Sequence, residues 1–266
     1  MGENGLMDIE LLEWHIDRLD SMRRYPKELY YIGDINLLNR PTVSIVGSRR
    51  PLAYVKEFTH KIAKELSSRG VAIVSGGAMG VDAIAHSGAG ADNTILVTAG
   101  GLDIIYPKVN RALIESIYGS GLAISQFKRG STPTPWSFVV RNETVVALGD
   151  ILIITQADLK SGSMRSAEFA KEMGKRIYVL PHRISDSLGT NQLLREGVAE
   201  PILDIDSFCS QFGVIPNSDG VERDDFFYFC QNYPTLDEAV AKFGARVYEA
   251  ELEGLIEVEN GIVSLA

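Results

Sequence analysis

Six short apolar runs punctuate the middle of the chain: "TVSIVGS", "VAIVSGG", "TILVTAGG", "LAISQF", "DILIITQA" and "RIYVLPH", between residues 42 and 182. Each is strand-length and apolar on successive positions, the pattern of a strand buried on both faces. Amphipathic stretches separate several of them. In residues 55–68, Phe58, Ile62 and Leu66 recur at intervals of four, and Gly70 supplies a stop. Strands alternating with helix-length connectors predict βαβ units, hence a doubly wound α/β domain with a mostly parallel sheet over residues 41–208. Residues 1–40 read as a short helical lead, with Ile9, Leu12 and Ile16 at helical spacing, then a strand-like piece around "YYIGD". Residues 209–222, polar and rich in Gly, Pro and Asn, read as a linker. Residues 223–266 give three helical pieces and a hairpin closed by Asn260-Gly261, the outline of a small winged-helix-like domain.

Composition narrows the class. At 266 residues with 45% hydrophobic and 23% charged, the chain is globular rather than disordered. No apolar run approaches the ~18 residues of a membrane span, and the first ten residues lack a targeting pattern. The expectation is a cytoplasmic protein without a membrane partner. Cys209 and Cys230 form no framework, and His15, His60, His86 and His182 are scattered, so neither metal nor cofactor is expected. His86 can still hydrogen-bond within a loop. The net charge of −9 is unevenly placed: residues 217–266 hold eleven acidic and three basic side chains, leaving 1–216 nearly neutral. A neutral body can carry a local basic patch, because screening limits fields to ~8 Å.

Candidate chemistry sits just after the strands, where ligands collect in doubly wound sheets. Gly47-Ser48-Arg49-Arg50-Pro51 lacks the later glycines of a dinucleotide fingerprint, and no P-loop occurs. A glycine, a hydroxyl and two guanidinium forks suit an anion held by side chains. Ser75, Gly76 and Gly77 open a glycine loop with two readings, a backbone anion site or only a tight turn. Arg141 and Asn142 lie near the start of a helix and can reach the same edge. Lys128 and Arg129 precede Trp136 and Phe138; such interleaving suits an unpaired nucleic-acid strand, although each ring taken singly is also a core candidate. Lys160, Ser161, Gly162 and Ser163 open a further helix whose N-terminus can take an anion.

These segments, together with "YVLPHRISDSLGTNQLLREG", occur in the order and approximate spacing of the DNA-processing protein A (DprA/Smf) family, which residues 30–206 closely resemble. The resemblance implies an extended Rossmann-like domain, usually homodimeric. The implied activity is to bind and protect single-stranded DNA and to load the recombinase RecA onto it in natural transformation. The implied basic pocket comprises Gly47, Ser48 and Arg49, the loop 75–80, Phe138, Arg141, Asn142, and Lys160 to Ser163. Three positions depart from the family pattern. Glu143 replaces a usual arginine and is expected to weaken binding or to point away; Met79 replaces an arginine; Gln126 replaces a glutamate. Arg50, Lys128 and Arg129 are candidates to compensate. The family's longer N-terminal domain is reduced to the short lead.

No nucleophile-base pair or carboxylate pair marks an enzyme. The alternative is a Rossmann-type, lysine-decarboxylase-like nucleoside-monophosphate phosphoribohydrolase, with Glu168 as its tempting acid. Its paired glycines and threonine are missing. The acidic tail suits a protein partner, RecA or a second copy, better than duplex DNA.

Overall fold

The computed structural model describes residues 9–213, 225–230, 234–252, 254–259 and 261–265. It divides into two compact units, 1–215 and 216–266. The first is built on a nine-stranded sheet. In chain order its elements are β1 (Glu10–Leu11), β2 (Tyr30–Gly33), β3 (Thr42–Val46), α1 (Ala53–Ser68), β4 (Ala72–Ser75), α2 (Val81–Ala89), β5 (Thr94–Val97), α3 (Arg111–Ser120), β6 (Leu122–Ser125), α4 (Pro135–Leu148), β7 (Ile151–Ile154), α5 (Gly162–Glu172), β8 (Ile177–Val179), α6 (Leu188–Arg195), β9 (Glu200–Pro201) and α7 (Ile205–Cys209). The strand order is β1-β2-β6-β5-β4-β3-β7-β8-β9. From β6 through β9 every neighbouring pair is parallel, while β2 runs antiparallel to β6, and β1 to β2. The fold is a Rossmann-like, mostly parallel α/β sheet. Its order reverses between β3 and β7, since β4 to β6 lie on one side of β3 and β7 to β9 on the other.

Strand alternation divides the core into two layers. Val74, Ile95, Ile124, Leu152 and Ile154 face α4 and α5, where Val145, Leu148 and Phe169 meet them. Val43, Ile45, Ile73 and Ile153 face α1 and α2, where Ile62, Leu66 and Ala85 complete the opposite layer. Both faces are dry, which is why the strands read as continuous apolar runs. Each fully buried Ile or Leu stabilises the fold by roughly 1.5–3 kcal/mol of apolar transfer.

The lead is not the helix that its spacing predicts. Glu10 and Leu11 form an edge strand on β2, the Leu12 N–H donates to Leu29 O at 2.8 Å, and the coiled pieces are two short 3-10 turns, Asp17–Ser21 and Ile35–Asn39. Leu12, Ile16, Leu19 and Met22 are nonetheless buried on the α4–α5 layer. The sheet edge satisfies backbone groups at Glu10 and Leu11 that a helix would have paired internally. The lead is then pinned by ions. Arg23 forks onto Glu172, with Nε at 2.8 Å and Nη2 at 2.5 Å, and lies 5.3 Å from the centroid of the Phe169 ring; Arg18 pairs with Asp150 at 3.0 Å.

Of the expected linker, Cys209 ends α7 as a buried residue, and positions from 214 onward lie outside the described residues. The second unit contains α8 (Asp225–Cys230), α9 (Leu236–Phe243), α10 (Arg246–Leu252) and a hairpin of β10 (Ile256–Glu259) and β11 (Ile262–Leu265). Phe226, Ala239, Val247, Ile256 and Val263 form its core. Thr235 and Glu238 cap α9 reciprocally. Of the predicted Asn-Gly turn, Gly261 has φ +77°, and Asn260 lies outside the described residues. No described helix is long and apolar enough to cross a membrane.

Candidate nucleic-acid interface

Where β3 and β7 part, their C-terminal loops leave a pocket of about 360 Å³. This is the topological switch point, the crevice where doubly wound sheets bind ligands. One wall is the loop after β3, with Gly47, Ser48, Arg49 and Arg50; α4 contributes Arg141 and Asn142; the start of α5 contributes Ser161, Gly162 and Ser163. Nine of the residues expected from sequence therefore converge on one cavity.

Local chemistry explains each placement. Gly47 lets the β3 end abut α2, since a Cβ there would lie 2.7 Å from Val81 Cγ2. The Ser48 carbonyl accepts the Val81 N–H at 3.1 Å, and its hydroxyl accepts the Arg50 N–H at 3.1 Å, which fixes the loop that carries the two exposed arginines. Ser161 caps α5 by accepting the Met164 N–H, leaving the Gly162 and Ser163 N–H groups of the first turn without intrahelical acceptors. Such a terminus favours an anion. Asn142 reaches this terminus: a Cβ on Gly162 would lie 3.6 Å from its Nδ2.

The floor is charged. Arg141 is not near the start of its helix but midway along α4, only 5% exposed, with Nη1 at 3.5 Å from Asp82 Oδ2. The Asp82 carboxylate also accepts the Ala78 N–H at 3.3 Å. Burial pushes the Asp82 carboxyl up from its ordinary range, and Arg141 and the Ala78 N–H oppose that rise. Nε of Arg141 is buried without a hydrogen-bond partner among the described residues, so the guanidinium keeps unspent donor capacity at the pocket.

Beside the pocket is a second recess, lined by Gly76, Met79, Tyr106, Pro107, Pro133 and Phe138, with Arg49 and Arg141 on the shared wall. The guanidinium carbons of Arg49 and Arg141 lie 5.8 and 5.7 Å from the Phe138 ring centroid, within cation–π range. Tyr106 tilts against Phe138 with centroids 5.7 Å apart. Trp136 stands 68% exposed, edge-on to Phe127.

Other expected residues do not join the pocket. The Ser75 hydroxyl turns into the core and donates to Ile45 O at 2.6 Å, because a buried hydroxyl at the end of β4 needs an acceptor. Gly76 and Gly77 lie outside that pocket: the Gly76 and Ala78 N–H groups serve the Asp82 carboxylate, a Cβ on Gly76 would collide with Arg141, and Gly77, at φ +68°, packs on Leu96. Lys128 pairs with Glu28 at 3.3 Å, away from the pocket walls. Lys160 is exposed but outside the lining. Glu143 points away, accepting the Arg23 N–H at 2.9 Å, and so belongs to the lead's anchorage. Gln126 donates to the Thr144 hydroxyl. Met79 is 47% exposed in the apolar recess.

Sequence reasoning missed Asp82, Asp158 and Tyr106. Asp82 carried a signal, since an arginine inside an apolar helix needs a counter-ion, and "GVDAIAH" offers the only acid in the glycine loop's helix. His86 lies in α2 rather than in a loop. The Thr94 hydroxyl donates to Ile73 O at 2.8 Å and accepts from His86 Nδ1. Among the described residues, the one cluster with metal-ligand spacing is exposed His15, Asp17 and Asp20.

Fold and site define a Rossmann-like protein whose switch-point pocket is lined by guanidinium groups and a helix N-terminus in place of a dinucleotide fingerprint. The family model for DNA recombination-mediator protein A matches residues 13–213, and the chain belongs to that family. It is 36% identical over 199 residues to protein Smf of Synechocystis and 35% identical over 176 residues to the DNA processing protein DprA of Streptococcus pneumoniae; these cover 72% and 65% of this chain. The chain spans 50% and 62% of those relatives' own lengths. Among solved structures, DNA processing protein A of Helicobacter pylori, studied for its single-stranded DNA binding mode, superposes with a TM-score of 0.76 at 43% identity, covering 77% of this chain and 96% of that one. DprA of Streptococcus pneumoniae superposes with a TM-score of 0.71 at 30% identity, covering 77% and 74%.

Proposed function

We propose that this chain binds single-stranded DNA at the β3–β7 pocket, without catalysing a reaction on it, and delivers it to RecA during transformation. The carrying observation is the union, in one cavity, of the exposed Arg49 and Arg50, the buried Arg141 and the open first turn of α5. All four offer donors suited to phosphate oxygens. The apolar recess with Phe138 and Tyr106 adjoins the same arginines, so ring faces lie where bases of a flexible strand can stack. Single-stranded DNA binding by the Helicobacter pylori relative supports the reading.

The phosphoribohydrolase reading finds little support in this geometry. Glu168 is exposed, pairs with Arg165 at 3.7 Å and is absent from the pocket walls. The strongly acidic second unit suits a protein partner, RecA or another copy, better than a duplex.

The test is anisotropy of labelled oligothymidine across a salt series. Affinity is expected to fall with salt by about 0.7 log units per log unit for each phosphate contact. Arg49→Glu is expected to remove most retention in a chain that stays folded. A flat salt response, or release of free base from AMP, would overturn the proposal.

A further inference from the structure

A second concave surface lies across the Arg49–Arg50 pair from the pocket. An open groove of about 620 Å³ runs between α1 and α2, and Arg49 and Arg50 line both cavities. Beyond them the groove is walled by Lys56 and His60 of α1 and by Ile84 and Ser87 of α2. Its lining contains three fixed cations and an imidazole, and no carboxylate.

The charge here is uncompensated. Among the described residues Arg50, Lys56 and His60 have no ion-pair partner, although Lys61, further along α1, pairs with Asp206 at 3.8 Å. Lys56 also stands in the first turn of α1, where the helix dipole opposes a cation. At Gly80 the N-terminus of α2 borders the same groove. Three cations thus face one opening bordered by the N-cap of α2, an arrangement that an anionic occupant would relieve. Asp82, the acid in the first turn of α2, is committed to Arg141 on the pocket side.

We propose that the α1–α2 groove is a second nucleic-acid subsite, which takes the phosphates of the strand as it leaves the pocket over Arg50 and Pro51. This rests on the single-strand reading above. Continuity through the shared arginines selects an extended polyanion, because a lone small anion would fill one cavity and leave the other charged. Pro51, Ala83 and Ile84 give the groove small apolar patches for sugars and base edges.

The test compares oligothymidines of about 5 and about 20 nucleotides on the full chain, unaltered and carrying Lys56→Gln with His60→Gln. For the longer strand, affinity is expected to fall at least about threefold and the log–log salt slope to shrink by about 0.7 for the lost lysine contact. For the shorter strand both should stay unchanged. Acetylation of Lys56 in the unaltered protein supplies a readout that needs no variant: the longer strand should protect it and the shorter should not. Unchanged long-strand binding without protection of Lys56, or equal losses for both lengths, would overturn the subsite. Failure of the unaltered chain to bind either strand would instead bring down the single-strand reading itself.

Discussion

Gly76 and Arg141 occupy one volume: a Cβ built on Gly76 would lie 1.1 Å from Arg141 Nη1 and 2.8 Å from Asp82 Oδ2. The glycine thus makes room for a buried ion pair. Gly76→Ala is expected to expel the guanidinium and leave Asp82 unpaired, a loss of about 3–5 kcal/mol by analogy with other broken buried pairs. Oligothymidine affinity should fall at least about tenfold with it. Urea unfolding and anisotropy on the same variant check both; a normally stable, normally binding Gly76→Ala would refute the relationship.

His86 gives a pH signature. Burial, and after it the charge of Arg141, holds its imidazole down from the ordinary value to about 3. An unfolded histidine titrates near 6.5. On acidification the unfolded chain takes up this proton first, so the contribution to stability is complete above ~6.5 and is lost as pH falls from there towards about 3. The slope should approach about 1.4 kcal/mol per pH unit and vanish in His86→Gln. Urea titrations between about pH 6.5 and 5, above most carboxylate titration, measure it.

Trp136 is exposed and spends little on the fold. Trp136→Ala should change stability by less than about 0.5 kcal/mol while weakening oligothymidine binding by about 1–3 kcal/mol, the worth of one stacked base. In a Trp14→Phe background, oligothymidine should also quench the remaining indole emission. An unquenched indole would place the strand elsewhere.

Glu143→Arg replaces the acceptor of the Arg23 N–H with a second cation. Stability should drop by about 1.5–3 kcal/mol, the range for hydrogen bonds to charged groups. Oligothymidine affinity should change less than about threefold, because the side chain faces the lead and its added charge is screened over ~8 Å. Tightening well beyond that would show that the position belongs to the strand path.

The sheet was legible because its central strands are apolar on both faces, and the two arginines after β3 stood out because no turn requires them. What sequence could not show was direction. Ser75 and Gly76 look like ligand residues by type, yet one hydroxyl turns inward to Ile45 and one missing side chain houses a guanidinium. Both facts depend on partners 30 and 65 residues away. The lead misled for a related reason: Leu12, Ile16 and Leu19 are buried as a helical stripe would be, but β2 offers backbone pairing that overrides the local spacing. Glu143 was rightly an anomaly, and its role depended on Arg23, 120 residues earlier.

The far edge of the sheet carries its own consequence. Just past β9 the Ile202 N–H donates inward to Val179 O, so Pro201 at the strand's end turns its nitrogen outward, where it has no hydrogen to give. That margin lacks a donor that an added strand would use, which disfavours lengthening the sheet with a strand from another copy of this protein.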